Sequence, residues 1–121
     1  MTEVQEERFA PEIRTTLEDT VTHDGGQVRL TANIVGVPKP EVTWYKEDEV
    51  LFNSDEFEIT EDDQNNYMLF IHDVLPEDAG KYIVVAKNEL GTVTSSAQLT
   101  VEGERVKVVC DSFCVEMFDG N

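Results

Sequence analysis

Apolar and polar residues alternate along most of the chain, and a period of two residues predicts short β-strands with one buried face. The clearest runs are "QVRLTANIV", "EVTWYK", "YMLFIHDV", "KYIVVAKN" and "TVTSSAQLTV". The apolar positions that these runs place on the inward face are Val28, Leu30, Ala32, Ile34, Val42, Trp44, Leu69, Ile71, Tyr82, Val84, Ala86, Ala97, Leu99 and Val101. Glycine and proline in "VGVPKPE" and the polar run "DDQNN" predict turns between strands.

The spacing of these runs predicts the fold class. No segment repeats apolar residues every 3.6 positions over two or more turns, so no helix is expected. About seven short strands at regular spacing are typical of an all-β, two-sheet antiparallel sandwich. The chain has 121 residues, enough for one domain with flanks. We expect a flexible leader over residues 1–8, one domain over 9–102 and an apolar tail or linker over 103–121.

Two stretches, "VRLTANIVGVPKPEVTWYKED" and "LFIHDVLPEDAGKYIVVAKNELG", resemble the immunoglobulin I-set family. In such a fold Trp44 is large enough to span two sheets about 10 Å apart. Tyr82 fits a tyrosine corner, in which a buried ring donates its hydroxyl to an upstream backbone group. Asp78 is placed to accept hydrogen bonds from loop amides, and Gly80 to permit a tight entry into the strand. Gly91 is predicted at a hairpin position with positive φ.

The resemblance also implies a disulfide between the two sheets, but the corresponding positions hold Ala32 and Val84. A small residue facing a medium one can fill the space of two sulfur atoms. Losing such a bridge costs about 2–4 kcal/mol. That loss is tolerable in the cytosol, where thiols stay reduced. We therefore expect a cytoplasmic domain, similar to those of the giant muscle proteins titin, twitchin and obscurin in the sarcomere or cytoskeleton.

The charge of the chain restricts its partners. Nine Lys and Arg against 26 Asp and Glu give a formal net charge of -17. This charge repels phosphate backbones and anionic lipids, so neither nucleic acid nor a membrane is expected as a partner. Twelve acids and no Lys or Arg lie between Glu47 and Asp78. This acidic run disfavours direct actin binding, and leaves neighbouring immunoglobulin-type modules or a basic protein as partners.

No pattern of catalytic or cofactor-binding residues is present, so we expect neither an enzyme nor a cofactor. His23 and His72 lie in different segments without a cysteine nearby, which makes a poor zinc site. The run "EDDQNN" lacks the glycine and distal glutamate of an EF-hand calcium loop. Cys110 and Cys114 have a spacing that fits no zinc or redox motif, and are interpreted as two free thiols.

The tail "GERVKVVCDSFCVEMFDGN" is too apolar for an inert linker. It either forms a further strand that pairs with a sheet edge or a partner chain, or begins a next module. Its candidate partner-binding residues are Val106, Val108, Phe113, Val115 and Phe118.

The resemblance implies a structural and protein–protein interaction module of a sarcomeric or cytoskeletal giant protein, acting as a load-bearing spacer and docking surface. Two alternatives stay open. One is an extracellular adhesion or receptor immunoglobulin domain that lacks its disulfide. The other is a regulatory domain that flanks a muscle kinase.

Overall fold

The computed structural model of the protein describes residues 7–103. Within this range the chain forms strands joined by turns, with one short 3₁₀ helix over Pro76–Asp78. The strands are β1 Phe9–Thr15, β2 Thr20–His23, β3 Val28–Val37, β4 Glu41–Lys46, β5 Glu49–Val50, β6 Phe57–Glu61, β7 Asn66–Ile71, β8 Gly80–Asn88 and β9 Gly91–Glu102.

The strands form two sheets, one of four strands in the order β1-β3-β7-β6 and one of five in the order β2-β9-β8-β4-β5. The predicted all-β, two-sheet sandwich is confirmed. Two details differ from the expectation of about seven antiparallel strands. Strands β2 and β5 are additional and short, and β2 runs parallel to β9, with Thr20 opposite Leu99 and His23 opposite Glu102.

Alternation within the strands builds the core between the sheets. In β3 the even-numbered residues from Val28 to Ile34 are buried, and in β8 the same holds from Tyr82 to Ala86. Each buried side chain removes apolar surface from water, and this burial stabilises the fold by about 25 cal/mol for each Å² of apolar surface. The buried apolar cluster comprises Leu17, Val28, Leu30, Ala32, Ile34, Trp44, Tyr67, Leu69, Ile71, Val74, Tyr82, Val84, Ala86, Ala97 and Leu99.

Strand β1 begins at one end of the sandwich, and strand β9 ends at the other. The side-chain amide of Asn88 donates to the carbonyl oxygens of Phe9 and Pro38, at 3.0 and 2.9 Å. The beginning of β1 therefore lies beside the turn between β8 and β9. Strand β9 starts at this turn and has 12 residues. At about 3.3 Å per residue, its end at Glu102 lies roughly 36 Å from its start at Gly91.

The prediction of a positive φ at Gly91 was wrong. Among the glycines of residues 7–103, positive φ occurs at Gly25 (86°) and Gly80 (145°). A Cβ atom at Gly91 would lie 3.0 Å from the Cβ of Ala10. Gly91 is therefore explained by the close approach of β1 to the β8–β9 turn, where a side chain would push the two segments apart.

Candidate protein-binding surfaces

The residues expected to replace the disulfide lie deep in the core. Ala32 in β3 and Val84 in β8 come from opposite sheets, and both side chains are 0% exposed. Trp44 lies opposite Val84 across the β4–β8 pair. Leu69 of β7 belongs to the same buried cluster. The indole Nε1 of Trp44 is buried without a hydrogen-bond partner among the described residues, so packing alone holds the ring.

The connection into β8 is held by a tyrosine corner. The hydroxyl of Tyr82 donates to the backbone oxygen of Asp78 at 2.6 Å, and the side chain of Asp78 accepts from the amide of Leu75 at 2.8 Å. Burial raises the pKa of the Tyr82 phenol, and the negative charge of Asp78 raises it further. Gly80 between them has φ of 145°, a conformation that disfavours any side chain.

The acidic turn between β6 and β7 is organised by its own hydrogen bonds. One Asp62 oxygen accepts from the backbone amides of Gln64 and Asn66, at 2.9 and 3.0 Å, and the other accepts from the Asn66 side chain at 3.0 Å. These bonds, the one from the Asn66 side chain first, lower the pKa of Asp62. The carboxylate therefore stabilises the turn, as Asp commonly does.

Residues 7–103 include one cleft but no cluster of potential metal ligands. Over residues 7–103, no group of three or more His, Cys, Asp or Glu could hold a metal ion. His72 is instead 3.1 Å from an oxygen of Glu58. One cleft of about 280 Å³ is lined by Thr15, Thr16, Glu18, Thr20, Arg29, Leu30 and Thr31. It contains a single carboxylate, whereas acid–base chemistry of the paired-carboxylate kind requires two. Within the same range, no helix is long and apolar enough to cross a bilayer.

The outer face of the five-stranded sheet is partly apolar. Trp44 and Val84 point inward, so their neighbours Tyr45, Ile83 and Val85 point outward. Tyr45 lies opposite both Ile83 of β8 and Val50 of β5. All three strands thus contribute an apolar or aromatic side chain to one row. The outward residues of β9 are polar by contrast: Thr92, Thr94, Ser96 and Gln98.

The apolar row continues to the edge of the sheet. The amide of Leu51 donates to the carbonyl oxygen of Trp44 at 2.8 Å, and its side chain packs against the core. Its two neighbours, Val50 and Phe52, are 40% and 72% exposed. We call the five residues Tyr45, Val50, Phe52, Ile83 and Val85 the outer apolar patch.

Sequence reasoning missed this outer apolar patch, although two signals for it were present. The run "YIVVA" is apolar at consecutive positions. Such a strand has apolar side chains on both faces, so its outer face is apolar as well as its inner face. The run "VLF" follows three acids directly. The candidates that the sequence did propose for partner binding, Val106, Val108, Phe113, Val115 and Phe118, lie outside the described residues.

The chain belongs to the immunoglobulin I-set family, because residues 11–101 match the Immunoglobulin I-set domain. Titin of Drosophila melanogaster is 36% identical over 98 residues, which are 81% of this chain. Human nexilin is 34% identical over 102 residues, 84% of this chain. The chain spans 15% of the length of nexilin and, to the nearest per cent, 0% of that of titin. Both relatives are sarcomeric or cytoskeletal proteins.

The fold is also similar to solved immunoglobulin domains of titin. A crystal structure of the titin domains z1z2 in complex with telethonin superposes with a TM-score of 0.78 at 36% sequence identity. The similarity covers 81% of this chain and 49% of that chain. The predicted resemblance to the intracellular muscle-protein type of I-set domain is thereby confirmed.

Proposed function

We propose that the domain is a load-bearing spacer and a docking module within a sarcomeric or cytoskeletal protein. The observation that carries the proposal is the position of its first and last strands. The chain enters beside the β8–β9 turn and leaves at Glu102, at the far end of β9. A domain connected at opposite ends can stand in a row with others and pass tension along its length.

The path of that tension runs through the β2–β9 pair. Tension draws the N-terminal strands toward the β8–β9 turn and draws β9 in the opposite direction. Because β2 and β9 are parallel and in register from Thr20–Leu99 to His23–Glu102, their hydrogen bonds lie across the load and must break together. The amide of Gln98 donates to the Asp19 side chain at 2.8 Å and adds a further link between the two segments.

Two further observations support the docking role and a cytoplasmic location. The similar titin domains z1z2 form a complex with telethonin, a different protein. The described sandwich contains no cysteine, which suits a reducing compartment. The partners we propose are neighbouring immunoglobulin-type modules or a basic protein. The five apolar tail residues, Val106, Val108, Phe113, Val115 and Phe118, stay a prediction for partner contact.

Mechanical unfolding of the full chain tests the load-bearing role. Handles are attached to the two chain ends, and the unfolding force is compared between Thr22→Pro in β2 and Val50→Pro in β5. Both residues lie in edge strands of the same sheet. The amide of Asp24 donates to the carbonyl oxygen of Glu102 at 3.2 Å, and the parallel register directs the amide of Thr22, two residues earlier, toward β9 as well. Proline at Thr22 therefore removes a donor between β2 and β9. The amide of Val50 points away from β4, because that of Leu51 donates to Trp44. We expect Thr22→Pro to lower the force more than Val50→Pro does.

Equilibrium unfolding in urea, measured on the same variants, separates mechanical from thermodynamic effects. If the loss of force follows the loss of unfolding free energy equally in both variants, β2 has no special place in the load path. The load-bearing proposal would then fail.

A further inference from the structure

We propose that the outer apolar patch binds a partner segment in which apolar side chains stand beside lysines or arginines. This inference rests on the proposed docking role and specifies its surface. Four of its five residues come from three adjacent strands, and the fifth and most exposed, Phe52, follows β5 and is 72% accessible. Contiguous exposed apolar surface of this kind marks interaction sites, and aromatic residues are enriched in the centres of interfaces.

The charges around the patch select the partner. From Glu47 to Glu56 the chain carries five carboxylates and no Lys or Arg. Asp48, exposed in the β4–β5 turn, lies two positions before Val50, and Asp55, exposed after β5, lies three positions after Phe52. These two carboxylates adjoin the patch in the chain. Glu47 instead accepts from the backbone amide of Lys81 at 2.8 Å. Glu49 pairs with Lys46 and lies on the other face of β5 from Val50, and Glu56 interacts with Asp78. A cationic rim on the partner would complement this border.

The opposite flank of the patch carries cations that limit how far the acidic border extends. Lys81 and Lys87 alternate with Ile83 and Val85 along β8, and Lys87 lies opposite Glu41 of β4. The negative potential is therefore concentrated at the β5 side. A partner segment would place its basic residues there and its apolar residues over the three strands.

Two other occupants are less compatible with these charges. A second copy of the chain would bring another net charge of -17 to the interface. The apolar tail from residue 104 to residue 121 carries four acids and two basic residues, so it too would oppose the acidic border. Complementary charge favours a basic partner over both.

The test uses the full isotope-labelled chain and three synthetic peptides of equal length, at an ionic strength of about 0.15 M. The first peptide combines lysines with Val, Ile and Phe. The second replaces its lysines with glutamates, and the third replaces its apolar residues with Ser and Gln. We expect the first peptide alone to shift the amide signals of β4, β5 and β8, with an affinity at least about tenfold above the others.

Matched variants locate the binding. Phe52→Ser is expected to weaken binding of the first peptide by roughly tenfold. Asp48→Lys is expected to weaken it as well, and by a larger factor at low salt than at high salt. Val21→Ser, which removes another exposed apolar residue from the same sheet, is the control and should leave the affinity unchanged.

Several results would overturn the inference. Equal binding of the first and third peptides would show attraction by charge alone, and equal effects of Phe52→Ser and Val21→Ser would place the site elsewhere. Patch signals that change with protein concentration would indicate self-association. Patch signals that change in Phe118→Ser without peptide would indicate that the chain's own tail occupies the patch. None of these results alters the force measurement, so the load-bearing proposal stands or falls separately.

Discussion

Replacing Tyr82 with phenylalanine removes one hydroxyl group from the fully buried tyrosine corner. The hydroxyl donates to the backbone oxygen of Asp78 at 2.6 Å, and the two residues are 0% and 4% exposed. The ring still fills its place in the core, so the variant isolates the hydrogen bond. Water cannot replace the lost donor without opening the sandwich.

The cost follows from leaving a buried carbonyl without its donor. Such a group destabilises a protein by about 1–3 kcal/mol, and we expect about 2 kcal/mol for Tyr82→Phe. A domain of this size unfolds at a temperature lower by about 4–8 °C for each kcal/mol lost. The melting temperature should therefore fall by roughly 10 °C. This loss is a substantial part of a typical stability of about 5–15 kcal/mol.

The pH dependence provides a second, independent signature. Because burial raises the pKa of Tyr82 in the folded state, the folded protein holds the phenol proton more tightly than the unfolded chain does. The stabilisation is fully present below the unfolded pKa of about 10 and is lost as pH rises above it. The phenylalanine variant lacks this titration. The difference in unfolding free energy between the two proteins should therefore shrink above about pH 10.

Urea denaturation followed by the fluorescence of Trp44, the single tryptophan, measures both signatures across the pH range. Tyr45→Phe is the control, because it removes a hydroxyl from the half-buried outer face of the sheet. A loss below about 0.5 kcal/mol for Tyr82→Phe, or one equal to that of Tyr45→Phe, would refute the assigned role of the corner.

Three further variants, one of them a double substitution, test other parts of the fold. Cysteines at Ala32 and Val84 should form a disulfide on oxidation that closes a loop of about 50 residues and adds up to about 4 kcal/mol; equal urea midpoints with and without reductant would show that the two positions do not face each other. Burial raises the pKa of Glu56, so its ionised form opposes folding, and Glu56→Gln should raise the unfolding free energy at pH 7 by an amount that vanishes as pH falls through that pKa. A stability difference that persists in acid would contradict this explanation. Gly80→Ala forces a side chain into a φ of 145° and places Cβ 2.8 Å from a Glu47 oxygen, so calorimetry should show a loss of about 1–3 kcal/mol, and an unchanged melting temperature would argue against strain there.

The sandwich could be predicted because, in long strands, apolar residues alternate with polar ones as buried positions alternate with exposed ones. Residues Val28 to Ile34 show it over four inward positions, all of which are buried. Strand β5 has two residues, both exposed, so it leaves no periodic signal. The direction of pairing is also invisible in such a pattern, because alternation in β2 is the same whether its neighbour is parallel or antiparallel.

The candidate surface was harder to predict for a different reason. A strand sequence shows that Ile83 and Val85 are apolar, but burial of the opposite face already accounts for an apolar β8. Only the register, which places Tyr45 between Ile83 and Val50, shows that the outward residues form one row. Gly91 shows the same limit, since glycine is required there by a neighbour 81 positions away in sequence, Ala10.

Asn88 links the beginning of β1 to the β8–β9 turn. Its side chain donates to Phe9 and Pro38 and accepts from the amide of Leu90 at 2.8 Å. Three backbone segments at one end of the sandwich are thus joined through a single amide group. The position of the beginning of β1 is therefore coupled to the conformation of the β8–β9 hairpin, which contains Leu90. A molecule that clamps this hairpin would therefore also restrain Phe9 at the beginning of β1, although it touches neither Phe9 nor Pro38.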